Sequence, residues 1–97
     1  MENNVYLSHY WITYLISVSN NPEITIWHLT ILIAVARLGL NQKSAKSIVI
    51  TRKLLLKHSK IKSIPTYHKY IKELVKLGII HYTPSYHPSG KSLIQIL

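Results

Sequence analysis

The side chains able to do acid–base or metal chemistry are few in this 97-residue chain and poorly spaced for it. Six histidines (His9, His28, His58, His68, His81 and His87) are matched by only three glutamates (Glu2, Glu23 and Glu73), with no aspartate and no cysteine. No histidine pair has the carboxylate-supported spacing of an HExxH site, and thiolate ligands, cysteine nucleophiles and disulfides are ruled out. The glutamates are far apart in sequence, and no glycine-rich loop is present to cradle a phosphate. The expectation is therefore a protein that is not an enzyme and has no metal, cofactor or small-molecule ligand. His28, on an apolar stretch, is expected to be a packed histidine with a hydrogen-bond partner.

The chemistry the chain does support is recognition of a polyanion. Residues 1–36 hold two acids and no Lys or Arg, for a charge of −2, while residues 37–97 hold all 12 basic residues and one acid, for +11. Solubility alone needs no such segregation, and it points to nucleic acid or an anionic surface. The densest stretch is "SKIKSIPTYHKYIKELVKLGII", Ser59 to Ile80, whose only acid is Glu73. At about 100° per residue, Ile64, Tyr67, Leu74 and Val75 fall within roughly 60° of Ile71, and Lys69, Lys72 and Lys76 lie about 100–160° away. One flank is apolar and the other cationic. Ser63, Thr66 and His68 stand at the N-terminal end, which with Lys69 is expected to enter a major groove and meet base edges, and Lys72 is placed to hold a phosphate.

The elements that must position these side chains follow from local signals. Tyr6 to Val18 reads as a helix that is apolar over much of its circumference. "SNNPE" (Ser19 to Glu23) breaks it. "ITIWHLTILIAVARLG" reads as a second helix, with Thr25 as N-cap, Arg37 in its last turn and Gly39 just past its end. Its uncharged run from Ile24 to Ala36 is 13 residues long, short of the roughly 20 that span a bilayer. Leu40 to Lys46 reads as a loop and Ser47 to Thr51 as a short strand. Thr51 caps a short helix to about His58, and Ser63 caps the next, with Pro65 in its first turn and Gly78 as its stop. "IIHYT" and "KSLIQIL" are two strands joined by "PSYHPSG".

The resulting class is α+β, mainly α. It is a winged helix-turn-helix with a C-terminal β-hairpin wing (79–97), a recognition helix (64–77) and an extra N-terminal helix. One domain covers residues 1–97, with 1–22 as the N-terminal helix and 23–97 as the winged helix-turn-helix. In this arrangement Arg52, Lys53, Lys57, Lys60 and Lys62 are expected on the phosphate backbone. At the hairpin tip Tyr86, His87, Ser89 and Lys91 would reach a minor groove or a phosphate.

Residues 50–97 resemble a family of small bacterial winged-helix proteins, described as DNA-binding transcriptional regulators and often carried near mobile elements. The matching stretches are "ITRK", "SKI", "TYHK-IKEL", "GII-Y-PSYHP" and the strand after Gly90, with "WHLTI" similar to the family's second helix. The resemblance implies a winged-helix fold with DNA as ligand and Thr66, His68 and Lys69 on the recognition helix. Two departures stand out: Leu54 replaces an acid, and Gly90-Lys91 reverses the usual order.

The expected function is sequence-preferring binding of double-stranded DNA, as a transcriptional regulator. One rival is a DNA-binding accessory factor of a mobile element. Another is a basic adaptor for an acidic protein or anionic membrane. The apolar N-terminal helix, with Tyr10, Trp11 and Tyr14, is expected to pair two copies into a homodimer. "MENNVYL" lacks the basic start of a signal peptide, and the expected location is cytoplasmic.

Overall fold

The structure is a computed structural model and describes residues 2–85 and 90–97, with side chains from residue 5 onward. It is an α+β fold of four helices and a three-stranded antiparallel sheet. Helices α1 (Glu2–Ser19) and α2 (Ile26–Gln42) lead to strand β1 (Ser47–Thr51), helices α3 (Arg52–Ser59) and α4 (Ile64–Lys76), and strands β2 (Ile80–Thr83) and β3 (Lys91–Ile96). No helix among the described residues is long and apolar enough to cross a membrane.

Helix α2 is the centre of the core. Ile31, Leu32, Val35 and Leu38 are buried along it, and α1, α3, α4 and β1 all pack on it. Trp11 of α1 is buried against the same core, with Leu7, Tyr14, Leu15 and Val18 around it. Its indole Nε1 donates to the Ser44 carbonyl at 3.2 Å.

That contact corrects the expected end of α2. Gly39 is buried inside the helix, which continues three residues further, to Gln42. The chain is capped instead by Lys43, in the left-handed conformation (φ 56°). The Lys43 amide bonds to Leu40 O at 3.2 Å and the Ser44 amide to Gly39 O at 2.9 Å, the paired bonds of a Schellman turn. Gly39 is required for packing: a Cβ there would sit 2.7 Å from Trp11 Cζ2 and 2.9 Å from Ser44 O. The extension also removes Arg37 from the last turn, so its expected role at the helix dipole is overturned.

The sheet order is β1-β3-β2, so β3 is central and the two other strands are edges. Ser47 pairs with Gln95 and Thr51 with Lys91, and Ile80 pairs with Ile96. Alternation turns Ile48, Ile50, Ile80 and Ile94 inward. On the outer edge of β1, the Gln42 amide donates to Val49 O at 2.6 Å and its oxygen accepts from Val49 N at 2.9 Å. One side chain thereby occupies ladder groups that an edge strand would otherwise present to water or to another strand.

The remaining caps follow the sequence. Thr51 Oγ1 accepts from the Leu54 amide at 3.1 Å and starts α3. Lys60 closes α3 with φ 66°. Gly78 ends α4 at φ 75°, with Gly78 N to Val75 O at 3.0 Å and Ile79 N to Leu74 O at 3.1 Å. This is a second Schellman turn, here on a residue with no Cβ cost.

Candidate nucleic-acid interface

Helix α4 separates its two flanks as its period requires, but the apolar stripe is narrower than the sequence implies. Tyr67, Ile71 and Leu74 are buried, while Ile64 and Val75 are exposed. The small fold does not reach around α4 far enough to cover them. Lys69, Lys72 and Lys76 all face solvent on the opposite flank. Ser63 at the leading end is exposed and Thr66 half-buried; Ser63 Oγ accepts from the Thr66 amide at 3.4 Å, so it serves as the helix cap.

The acid of the segment, Glu73, borders the lysine flank, and its carboxylate is engaged by a histidine of α2. His28, buried in the first turn of α2, accepts the Thr25 amide hydrogen on Nδ1 at 2.9 Å. That donor leaves the ring hydrogen on Nε2, which donates to Glu73 Oε1 at 2.7 Å. The Thr25 hydroxyl oxygen also lies 3.0 Å from Nδ1. His28 is thus the packed, partnered histidine expected from its position. Glu23, Glu73, Lys76 and Leu77 line a common recess, so Lys76 stands beside two carboxylates.

Lys69 is oriented by aromatic neighbours. Its Nζ lies 5.2 Å from the centroid of the Tyr70 ring. Tyr70 in turn stacks on Trp27, at 6.2 Å and 21°, and meets the His28 ring edge-on at 5.1 Å. A cation over a ring face is attracted by its quadrupole, which narrows the positions that the long lysine side chain samples. The sequence reading missed this column, because Trp27 and Tyr70 meet only when α2 packs on α4.

The expected contact residues fall into groups. Arg52 and Lys53 at the start of α3 share a groove of about 500 Å³ with His68 of α4 and with Tyr82, Pro84, Ser85, Gly90 and Ser92 of the hairpin. The β1–β3 register sets Lys91 opposite Thr51, one residue before Arg52. Ser92 Oγ accepts from the Tyr82 hydroxyl and the Ser85 amide, both at 3.3 Å, and ties the base of the hairpin together. His68 is half-buried between this groove and a smaller recess of about 280 Å³ lined by Ile71, Lys72, Val75 and Tyr82. It therefore stands on α4 beside the hairpin, next to Lys72 at the border of the lysine flank.

Beneath the groove, Tyr67 is buried and its hydroxyl has no hydrogen-bond partner. Burial, reinforced by Tyr82, holds that phenol well above the usual tyrosine range, and Arg52 opposes the shift.

Lys57 and Lys60 lie towards the far end of α3, about 8 and 12 Å along the helix axis from Arg52, and are exposed. Arg37 joins them across the α2–α3 packing. Partial burial first, then the positive charges of Arg37, Lys57 and Lys60, hold the His58 imidazole below its usual proton affinity. Lys62 is exposed in the turn before α4. Arg37 was not among the expected contacts, since its neighbours come from another helix. His87, with Tyr86 and Ser89, lies outside the described residues.

Among the described residues, no group of three or more His, Cys, Asp or Glu converges to hold a metal ion. The described arrangement can present hydrogen-bond donors and fixed positive charge to an anionic polymer. Compared with family models, curated proteins and solved structures, the chain gives no match.

Proposed function

We propose that this chain is a winged helix-turn-helix protein that binds double-stranded DNA without catalysing a reaction, with a sequence preference suited to transcriptional regulation. In this reading α3, the turn at 60–63 and α4 form the helix-turn-helix, β2 and β3 form the stem of the wing, and β1 completes its sheet. The element order and the β1-β3-β2 sheet support it. The resemblance of residues 50–97 to small bacterial winged-helix regulators belongs to the same reading, and no comparison speaks for it.

The observation that carries the proposal is the concentration of cationic groups around α4. Its lysine flank is open to solvent, its acid is engaged with His28, and Arg52, Lys53 and His68 share the groove between α3 and the hairpin. The leading end of α4 would enter a major groove with Thr66 toward base edges. Lys69, Lys72 and the groove cations would meet phosphates on either side. Arg37, Lys57 and Lys60 would form a second phosphate contact at the other end of α3.

The test is selection of bound sequences from a random duplex pool at near-physiological salt, followed by a salt titration of the enriched site. Enrichment of a common motif, with affinity falling steeply as salt rises, is the expected result. Indifference to duplex DNA at low salt, with binding to anionic vesicles, would replace this reading with that of a basic adaptor for membrane surfaces.

A further inference from the structure

We propose that the outer face of α1 is the surface on which two copies of this chain pair. The inner face of α1 is accounted for: Leu7, Trp11, Leu15 and Val18 pack on the core. The opposite face is unpartnered and unusually apolar. Val5 is 69% exposed, Tyr6 74%, Ile12 58% and Ile16 61%, with Tyr10 beside them at 41%.

At about 100° per residue from Trp11, Val5, Ile12 and Ile16 form one edge, Tyr6 and Tyr10 with Ser17 the other, and His9 and Thr13 the ridge between. The tyrosine edge borders a trough of about 430 Å³ lined by Tyr6, His9, Tyr10, Thr13, Tyr14 and Ser17. The five exposed apolar side chains leave on the order of 600 Å² in water, close to the ~800 Å² that each partner contributes to a standard interface.

Charge identifies the occupant. Residues 5–19 contain no Lys, Arg, Asp or Glu, whereas the chain carries +9 overall. Two copies repel through residues 37–97, which carry +11, so the uncharged outer face of α1 is one on which they can approach closely. An acidic partner would be drawn to the lysine-rich side of the molecule. A lipid surface would require basic residues flanking the apolar face, as interfacial helices have, and α1 carries none. An antiparallel two-fold pairing would set isoleucine edge against isoleucine edge and tyrosine edge against tyrosine edge, making the contact self-complementary. The inference goes beyond the DNA-binding reading and does not depend on it.

Sedimentation of the full chain without DNA tests it. The wild type is expected at twice the chain mass at concentrations of about 100 µM, and Ile16→Glu is expected to weaken association on the order of 100-fold by burying an unpaired carboxylate. Far-ultraviolet circular dichroism should be unchanged, because Ile16 is exposed. If Ile16→Glu fails to fold, Thr13→Arg on the same face carries the test, with the same loss of dimer expected. Ile33→Glu, on the exposed side of α2, should leave the dimer intact. A monomeric wild type overturns the proposal, as does a dimer that survives both α1 substitutions or dissolves with Ile33→Glu alone. Failure of DNA binding would leave this result untouched.

Discussion

His28 and Glu73, 45 residues apart, are joined by a 2.7 Å hydrogen bond that ties the first turn of α2 to the middle of α4. One imidazole satisfies the Thr25 amide at the helix start and engages the only acid of α4. The two ends of this bond differ in their surroundings, since the His28 side chain is 2% exposed and that of Glu73 40%.

The unequal burial predicts unequal costs. His28→Ala should destabilise by about 2–4 kcal/mol, through the cavity and the lost acceptor for Thr25. Glu73→Ala should cost less than about 1 kcal/mol, because water screens its half-exposed carboxylate. Urea unfolding of both variants and the double mutant measures this. A coupling energy above about 2 kcal/mol would mean the pair is better shielded than its exposure indicates.

Gly39→Ala should destabilise even though Ala is the better helix former by about 1 kcal/mol. The added Cβ would meet Trp11 at 2.7 Å and a backbone oxygen at 2.9 Å, and neither can withdraw cheaply. The expected net loss is about 1–3 kcal/mol, read by thermal or urea unfolding with indole fluorescence as reporter. Gly78→Ala has open space around it and pays only for its left-handed φ of 75°, about 1–2 kcal/mol.

Stability should fall in alkali, and Tyr14 is one cause. Burial first, then the neighbouring Tyr10, push the Tyr14 phenol up to about 12. The folded state therefore keeps a proton that the unfolded chain releases near pH 10. Its contribution is fully present below about pH 10 and is lost as pH rises towards 12. Tyr14→Phe should flatten that part of the stability–pH curve. At neutral pH it should be neutral or stabilising by up to about 1 kcal/mol, since the buried hydroxyl has no partner. Tyr67→Phe should behave alike at neutral pH. Equilibrium unfolding at neutral pH and at about pH 11 checks both; a loss above about 2 kcal/mol at neutral pH would show that the hydroxyls are satisfied in solution.

For the DNA-binding reading, Lys57→Ala should weaken all duplexes alike and reduce the steepness of the log affinity–log salt line by about one. Arg52→Ala should do the same. His68→Ala should change the ranking among sequences, because its partly buried ring borders both the groove and the hairpin. Fluorescence anisotropy with matched and scrambled duplexes across a salt series separates these outcomes. Identical behaviour of the three variants would remove the division of labour between phosphate contacts and base selection.

Local chemistry determined much of this protein from sequence alone. Thr25, Thr51, Ser63 and Gly78 mark helix ends by what their own side chains, or lack of one, can do within a turn. The opposed flanks of α4 are likewise set by spacing along one helix, so Tyr67, Ile71 and Leu74 are buried while Lys69 and Lys72 face solvent. Tertiary packing decided the rest. Gly39 looked like a helix stop and instead accommodates Trp11, 28 positions earlier in the sequence. Arg37 of α2 acts on His58 together with Lys57 and Lys60, and Lys91 reaches the start of α3 through the strand register. Ile64 and Val75 belong to the apolar period but remain in water, because periodicity states which way a side chain points and only the neighbouring elements determine whether anything covers it.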